Sequence, residues 1–368
     1  MTAVATAGVS VERVTARAFT VPTDAPEADG TATWDATTIV LAEAEADGVT
    51  GLGYAYGESL AAELIRAKLA DVVAGSDAMA IPGAWMAMRR ELRNAGLPGV
   101  CATAVSAVDV ALWDLKAKLL GASLAGLLGM ARDRVPVYGS GGFTSYSDDR
   151  LQSQFAGWAA EGVTAVKMKV GTEPERDPER VVAARAAIGP GVELFVDANG
   201  AYERKQALAL ADVFGQQGVT WFEEPVSSDD LEGLRLMRDR APAGMRIAAG
   251  EYGYDTWYFR RMLEAGAVDV LQADATRCLG VSGFLQAIAL ADAFGVPISA
   301  HTAPALHLHV CCAAGRFAPL EWFHDHVRIE AQLFDGAPVI EEGASAPNRE
   351  RPGLGLELNT EAAERYAA

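Results

Sequence analysis

Short apolar runs that end in an acid or a histidine recur through the second half of this sequence at intervals of 20 to 28 residues. Each interval is about the length of one strand plus one covering helix, so the pattern predicts repeated βα units and a parallel sheet. In a parallel barrel, residues at the carboxyl ends of the strands converge on one opening. The sequence therefore predicts one site that combines the six terminal residues Asp197, Glu223, Glu251, Asp274, His301 and Glu321.

Two lysines, Lys167 and Lys169, lie in the apolar run that precedes this series. Residues 163–170 are predicted to form a short strand between Gly162 and Gly171. Side chains two positions apart on a strand point to the same face, so both ammonium groups are expected at one strand end. A neighbouring positive charge and partial burial both lower the pKa of a lysine. We therefore expect Lys169 to supply a neutral amine that can act as a base.

The first 130 residues follow a different pattern, in which strands come first and helices follow. Residues 9–20 and 37–44 alternate in hydrophobicity or carry β-branched side chains, which is typical of strands. Between them, residues 21–34 are rich in Pro, Asp, Gly and Thr and are predicted to form a polar loop. Helical periodicity then favours helices at 61–74, 81–94 and 103–120. These elements predict an α+β domain over residues 1–130.

Residues 131–322 are predicted to form the barrel domain, in which about eight strands alternate with helices. The helices are expected at 148–160, 178–188, 203–217, 228–240, 255–265, 281–293 and 303–313. Residues 323–368 contain Gly and Pro and end in a short helical stretch. We expect this C-terminal segment to return to the first domain.

Composition excludes several classes of function. Half of the 368 residues are apolar and 22% are charged, which is the balance of soluble globular proteins. The net charge of −18 argues against nucleic acid or an anionic membrane as a partner. We see no signal peptide and no apolar run of the ~20 residues that a membrane helix needs. The four cysteines lack metal-site or disulfide spacing, so we predict reduced thiols and a cytoplasmic protein.

Asp197, Glu223 and Glu251 are expected to come from three successive strands. Three carboxylates placed together repel one another unless a cation neutralises them. Oxygen ligands with open coordination positions suit Mg²⁺, so the sequence predicts one Mg²⁺ per subunit. Acidic residues also favour helix N-termini, so the alternative interpretation of any one of the three is a helix cap.

Asp274 and His301 are expected on adjacent strands. A carboxylate that bonds one ring nitrogen fixes the histidine tautomer and stabilises the imidazolium. Lys169 and His301 would then be two bases that face each other over the metal. Glu321, on the last strand, is predicted to be protonated and to donate a hydrogen bond to a developing oxyanion.

With these residues in view, the chain resembles the enolase superfamily and, within it, the mandelate racemase branch. The matching motifs are Ala107-Val-Asp-Val-Ala-Leu-Trp-Asp-Leu-Lys116, Val166-Lys-Met-Lys169, Val196-Asp-Ala-Asn199, Phe222-Glu-Glu-Pro225, Gly250-Glu251, and the pair Asp274 and His301. The resemblance covers nearly the whole chain. It implies an α/β fold with a (β/α)7β modified TIM barrel and an N-terminal α+β capping domain that is completed by the C-terminal tail.

The resemblance also implies the first chemical step. A substrate carboxylate binds Mg²⁺, Lys169 or His301 removes the α-proton, and the metal stabilises the enediolate. Lys167 would lower the pKa of Lys169 and contact the carboxylate. Several members of the branch that have both the Lys-x-Lys strand and the Asp–His pair resemble acid-sugar dehydratases, so the resemblance favours dehydration. In this reaction a β-hydroxyl leaves, with His301 as general acid, and the product is a 2-keto-3-deoxy acid. Two alternatives stay open: a racemase or epimerase of a 2-hydroxy acid or acid sugar, and, more remotely, an inactive ligand-binding relative.

Specificity is expected to depend on the predicted loop 21–34, by analogy with capping loops of this family. The candidate substrate-binding residues are Asn199, Asp24 and Trp34. Asn199 either touches a ligand or braces Asp197. The expected partner is a small hydroxy-carboxylate, with no nucleic acid and no membrane. The family tends to assemble, so a homo-oligomer is predicted.

Overall fold

The computed structural model describes residues 8–368. Its N-terminal part is a three-stranded antiparallel sheet built from β1 (Arg13–Ala28), β2 (Thr33–Ala46) and β3 (Val49–Tyr56). Helices cover this sheet in the order α1 (Leu60–Leu64), a π-helical turn (Ile65–Leu69), α2 (Ala70–Val73), α3 (Ile81–Glu91), α4 (Val100–Leu119) and α5 (Leu124–Leu128). Strands followed by helices confirm the predicted α+β class of this part.

The prediction of a loop at residues 21–34 is wrong over most of this range. β1 runs to Ala28 and β2 begins at Thr33, so that only residues 29–32 form the turn of a long hairpin. The strand pairing shifts register between Pro22 and Glu27, which marks a bulge. Proline is tolerated in a sheet at edges and bulges, so a loop-like composition is compatible with this edge strand.

Eight parallel strands alternate with seven helices between residues 135 and 323. The elements are β4 (Val135–Gly141), α6 (Asp148–Ala160), β5 (Ala165–Lys169), α7 (Asp177–Ile188), β6 (Glu193–Asp197), α8 (Arg204–Gln216), β7 (Val219–Glu223), α9 (Leu231–Arg240), β8 (Arg246–Ala249), α10 (Thr256–Glu264), β9 (Val270–Ala273), α11 (Gly280–Ala293), β10 (Ile298–Ala300), α12 (Pro304–Ala313) and β11 (Leu320–Phe323).

The parallel sheet curls round on itself. β11 pairs in parallel with β4, and a parallel bridge between Ile298 and Phe317 joins β10 to the segment that leads into β11. Tyr138, Phe195 and Trp221 are fully buried inside, where small neighbours leave room for their rings. This arrangement confirms the predicted (β/α)7β barrel.

The C-terminal segment returns to the N-terminal part, as predicted. It contains α13 (His324–Leu333), β12 (Phe334–Asp335), β13 (Ala344–Ser345), β14 (Glu357–Leu358) and α14 (Thr360–Glu364). The backbones of Leu124 and Gly353 are hydrogen-bonded at 2.7 Å, and Thr20 N donates to Tyr366 O at 2.8 Å. The division of the chain at residues 130 and 322 stays a prediction.

Two buried aspartates on α4 explain the predicted capping-helix motif. Asp109 accepts hydrogen bonds from the backbone nitrogen and the hydroxyl of Ser282, on α11, at 2.9 and 2.7 Å. Asp114 accepts from Leu52 N at 2.7 Å and from Leu354 N at 2.6 Å. Buried carboxylates need such partners, so these two residues fasten α4 to the barrel, to β3 and to the C-terminal segment.

No helix between residues 8 and 368 is long and apolar enough to cross a membrane. The four cysteines are free, and three of them are buried. The cytoplasmic location stays a prediction.

Candidate active site

The parallel register brings the predicted site residues to one level of the barrel. Lys169 on β5 pairs with Asp197 on β6, and Asp197 pairs with Glu223 on β7. Glu251 follows β8 by two residues, and Asp274 and His301 come directly after β9 and β10. The carboxyl ends of neighbouring strands therefore carry one contiguous set of polar side chains, as the spacing predicts.

Asp197, Glu223 and Glu251 form a buried acidic triad. Each is at most 3% exposed, and the three can offer oxygen atoms that all lie within 4.8 Å of one another. Oε2 of Glu251 is buried without a hydrogen-bond partner, although Nε2 of His301 lies 3.2 Å away. An orphaned carboxylate oxygen is costly unless a cation takes it. The triad thus fits a small divalent cation with oxygen ligands.

Both lysines are enclosed by carboxylates. Nζ of Lys167 lies 2.5 Å from Glu223 Oε1 and 2.9 Å from Glu321 Oε1, and Nζ of Lys169 lies 2.5 Å from Asp197 Oδ2. Burial lowers the pKa of both lysines, but these neighbouring negative charges outweigh it and raise both. The prediction of a lowered pKa for Lys169 is wrong for the protein side chains alone. A cation bound at Asp197 would oppose the upward shift.

Asp274 and His301 form the predicted pair. Nδ1 of His301 lies 2.8 Å from Oδ2 of Asp274, and both side chains are buried. Burial raises the pKa of Asp274, but its bond to His301 and the imidazole charge outweigh burial and lower it. The carboxylate therefore stays ionised and directs Nε2 of His301 toward Glu251.

His307 holds the backbone on either side of this pair. Its Nε2 accepts from Ala275 N at 2.8 Å, and its Nδ1 lies 2.8 Å from Thr302 O. The residues that follow His301, Thr302 and Ala303, have left-handed φ angles of 52° and 40°. One buried imidazole thus supports a strained turn and the residue after Asp274.

Glu321 is fully buried, but the structure does not favour the predicted protonated form. Burial raises its pKa, whereas the charges of Lys167, His301 and Lys169 together lower it to about 2. Its oxygens accept from Ser140 Oγ at 2.6 Å and from Thr302 N at 3.0 Å. Glu321 is therefore a carboxylate that accepts hydrogen bonds, and this corrects its predicted role as a donor.

An open cavity of about 370 Å³ lies above these groups. Of the predicted site residues, Lys169, Asn199, Glu251, Asp274, His301 and Trp34 line it. Asp197, Glu223, Lys167 and Glu321 are completely buried beside them. We call this cavity the catalytic cavity. A second cavity, about 310 Å³, lies beside His309 and Arg351 and contains none of the predicted residues.

Of the three predicted substrate-binding residues, Asn199 and Trp34 reach the catalytic cavity. Oδ1 of Asn199 accepts from Lys169 Nζ at 3.1 Å, and its backbone nitrogen donates to Asp197 at 2.9 Å. Asp24 does not line the cavity. Its carboxylate pairs with Arg150 at 3.1 Å and with His324 at 3.2 Å, so the structure gives it a role in fixing the hairpin.

The tip of the β1–β2 hairpin is docked on the barrel. Asp29 O accepts hydrogen bonds from the hydroxyls of Thr144 and Thr172 at 2.9 and 2.7 Å. A Cβ atom on Gly30 would lie 2.4 Å from Ala198 O, which is closer than atoms can approach. Glycine at this position thus allows the tip to sit against the strand ends, where it forms part of the cavity wall.

Several residues that line the cavity were not among the predicted site residues. Arg277 contacts Glu251 Oε1 at 3.2 Å and lies over the ring of Tyr252. His326 stacks on Tyr56 with ring centroids 3.4 Å apart. The position of Arg277 three residues after Asp274 was a usable signal, but no pattern linked Tyr56 to a histidine 270 residues away.

Two family models cover most of the chain. Residues 13–129 match the mandelate racemase/muconate lactonizing enzyme N-terminal domain, and residues 150–363 match the enolase C-terminal domain-like model. The chain belongs to the mandelate racemase/muconate lactonizing enzyme family. This result confirms the resemblance to the enolase superfamily.

Two relatives of this chain are named for acid sugars or their lactones. The D-galactarolactone cycloisomerase of Agrobacterium fabrum is 32% identical, and the match covers 92% of this chain and 94% of that protein. The L-talarate/galactarate dehydratase of Salmonella typhimurium is also 32% identical, over 88% of this chain and 81% of that protein.

Solved structures of this family superpose closely. A mandelate racemase/muconate lactonizing enzyme-like protein from Rubrobacter xylanophilus is 55% identical, with a TM-score of 0.96 over 98% of this chain and 100% of that chain. A racemase from Streptomyces coelicolor with bound magnesium is 29% identical, with a TM-score of 0.90 over 97% and 100%. An L-talarate dehydratase from Polaromonas, complexed with Mg and L-glucarate, is 30% identical, with a TM-score of 0.88 over 98% and 97%.

Proposed function

We propose that this protein is a Mg²⁺-dependent acid-sugar dehydratase, which converts a sugar acid with a β-hydroxyl into a 2-keto-3-deoxy acid. One observation carries the proposal. Lys169 and His301 line the same cavity as Glu251 of the acidic triad, from strands that are three apart round one side of the barrel and five apart round the other. A substrate held in the cavity therefore meets a base on each side.

The acidic triad is the proposed Mg²⁺ site, one per subunit. Asp197, Glu223 and Glu251 supply the protein ligands, and Oε2 of Glu251 is buried without a hydrogen-bond partner that a cation would replace. Magnesium bound in relatives of the same fold supports this choice of metal. When bound, Mg²⁺ supplies positive charge that neutralises the triad and polarises the substrate carboxylate.

Lys169 and His301 carry out the proton transfers of the proposed reaction. Nζ of Lys169 or Nε2 of His301, whichever faces the α-hydrogen, takes that proton, and the C–H electrons form an enediolate. The bond between the β-carbon and its hydroxyl oxygen then breaks. The other of these two side chains donates a proton to this oxygen, and the hydroxyl leaves as water. The enol then becomes the 2-keto acid. Oδ2 of Asp274, 2.8 Å from Nδ1 of His301, stabilises the imidazolium form of His301. Lys167 supplies positive charge that stabilises the enediolate.

A racemase or epimerase is the second candidate, since two bases on opposite sides can also return a proton to the other face. The Streptomyces coelicolor racemase supports it. The remote alternative, a ligand-binding relative without chemistry, is opposed by the presence of both bases and the triad in one site. Assembly into a homo-oligomer and residence in the cytoplasm stay predictions.

Proton NMR in D₂O with Mg²⁺ tests the proposal. The purified protein is incubated with pooled acid sugars and hydroxy acids, and the double variant Lys169→Met/His301→Asn serves as the control. New C3 methylene signals of a keto acid, absent with the control, are the expected result. Loss of the α-proton signal without a new skeleton would establish the racemase instead. Silence for every acid, together with Mg²⁺-dependent thermal stabilisation, would favour the binding protein.

A further inference from the structure

The charges around the catalytic cavity indicate which class of acid sugar it takes, an inference that rests on the proposed function. We infer that the substrate is a monocarboxylic sugar acid, an aldonate, and that dicarboxylic aldarates are disfavoured. The cavity provides for one carboxylate, at its metal end. Its opposite side repels a second one.

The cationic side chains at the metal end are already paired before any substrate binds. Six acidic side chains are buried there, those of Asp197, Glu223, Glu224, Glu251, Asp274 and Glu321. Three cationic side chains face them, and each is already in contact with a carboxylate: Lys167 with Glu223 at 2.5 Å, Lys169 with Asp197 at 2.5 Å, and Arg277 with Glu251 at 3.2 Å. The protein cations are thus already paired, so the bound Mg²⁺ is the cation that this end offers to one substrate carboxylate.

The opposite side of the cavity is formed by the N-terminal part of the chain, and we call it the capping side. Its charged members among the described residues are acidic, Asp29 and Glu58. The rest are neutral and include Trp34, Thr37 and Tyr56. His326 stacks on Tyr56, and burial holds its pKa well below the usual range, so it adds no positive charge.

A substrate whose first carboxylate lies at the metal extends its far end toward the capping side. For an aldarate this end is a second carboxylate, which would meet the negative charges of Asp29 and Glu58 in a protein of net charge −18. One oxygen of Asp29 already accepts from the backbone nitrogens of Thr31 and Ala32, at 2.6 and 2.7 Å, whereas Glu58 is exposed. Like charges brought together in a binding site reject a ligand effectively. For an aldonate the far end is a primary alcohol, whose hydroxyl can donate to these same carboxylates. The rings of Trp34 and Tyr56 suit the C–H faces of a polyol chain.

The test compares aldonates with aldarates of the same configuration, so that only the terminal group differs. The rates of α-proton exchange and of keto-acid formation are measured by NMR in D₂O with Mg²⁺, over a panel of hexonates and pentonates and their diacid counterparts. We expect kcat/KM for the best aldonate to exceed that for its aldarate by at least about tenfold, which corresponds to about 1.4 kcal/mol. Equal or faster turnover of aldarates would overturn the inference and leave the proposed function standing. Exchange with neither class would reject both.

A charge reversal at the capping side provides the second arm. Glu58 is exposed and makes no contact in the catalytic machinery, and Glu63, five residues further on, is exposed and does not line the cavity. We expect Glu58→Arg to reduce the preference for the aldonate by about tenfold, through faster turnover of the aldarate. Glu63→Arg makes the same change in net charge and should leave the ratio unaltered. An unchanged ratio in Glu58→Arg would contradict the role assigned to the acidic capping side.

Discussion

Nδ1 of His301 lies 2.8 Å from Oδ2 of Asp274, and the second oxygen of that carboxylate accepts from Thr276 N at 2.7 Å. Asp274 is therefore held in place by its own turn while it orients the imidazole. The proposed reaction uses the other ring nitrogen, so the tautomer of His301 depends on this contact.

Replacing Asp274 with Asn is expected to lower kcat by about 10³-fold or more, since the amide neither fixes the tautomer nor supports the imidazolium. Steady-state kinetics with the identified acid measure the loss. Asp292→Asn, at an exposed position on α11, is the matched control and should retain activity. An Asp274→Asn enzyme with near-normal kcat would remove His301 from the chemistry.

Removing one carboxylate of the acidic triad should weaken the stabilisation of the folded protein by Mg²⁺. The wild type is expected to gain about 2.7 kcal/mol of stability when Mg²⁺ is present at 100 times its dissociation constant. Glu251→Gln should lose most of this gain, because the orphaned oxygen then needs no cation. Thermal unfolding with Mg²⁺ and with EDTA gives the answer, and Glu264→Gln, on the exposed face of α10, controls for charge. Equal Mg²⁺ stabilisation in both variants would place the metal elsewhere.

Separate substitutions of Lys169 by Met and His301 by Asn should reveal which base takes the α-proton. We expect each to reduce dehydration by about 10²–10⁴-fold. Only the variant that keeps the abstracting base should still exchange the α-proton with D₂O. If both variants still exchange the α-proton, a group other than Lys169 and His301 removes it.

Gly30→Ala should undock the hairpin tip, because the added Cβ would lie 2.4 Å from Ala198 O. As residues at this tip line the catalytic cavity, we expect KM to rise by about tenfold with a smaller change in kcat. Gly191→Ala adds the same methyl group where no atom lies within 4 Å and should be neutral. A Gly30→Ala enzyme with wild-type KM would show that the cavity does not need the docked tip.

Glu27 should make the stability of the hairpin depend on pH. Burial and the charge of Asp325 raise its pKa from 4.5 to about 8, while Trp34 Nε1 donates to Oε2 at 2.8 Å. The folded state thus retains a proton that the unfolded state loses in this window. The stabilisation is complete below pH 4.5 and disappears as pH rises through 8, by up to about 1.4 kcal/mol per pH unit.

The Glu27→Gln variant should show a flatter profile between pH 5 and 8 when the free energy of unfolding is measured with urea. Glu63→Gln, at an exposed site on α1, should follow the wild type. Parallel profiles for Glu27→Gln and wild type would mean that Glu27 is ionised in the folded protein.

The strand ends could be predicted from the sequence because each is marked locally, by an apolar run and the polar residue that closes it. Asp197, Glu223 and His301 were found in this way, and the parallel architecture then brings them together. The hairpin could not be recognised because its Pro and Asp residues sit on an edge strand with a bulge. Asp24 was misplaced because its partner His324 is 300 residues away in sequence.

The charge states were less predictable than the positions. Sequence reasoning counted Lys167 as the neighbour of Lys169 and predicted a lowered pKa. In the folded protein Asp197 lies 2.5 Å from Lys169 and reverses the direction. The charge state of Glu321 was also predicted in the wrong direction. Its neighbour Lys167 lies on β5, on the other side of β4, and lowers the pKa of Glu321. Such pairs depend on packing across the barrel, which no local pattern encodes.

The two oxygens of Asp114 have a consequence for the order in which the protein matures. One oxygen is used by Leu52, which precedes it, and the other by Leu354, 240 residues later in the chain. During synthesis from the N-terminus, the second hydrogen bond of this buried carboxylate can therefore form only after the whole barrel has been made. We infer that the N-terminal part of the chain is assembled early and completed last. Limited proteolysis of nascent chains stopped before residue 340 would register the difference, as cleavage within residues 49–119 that the full-length protein resists.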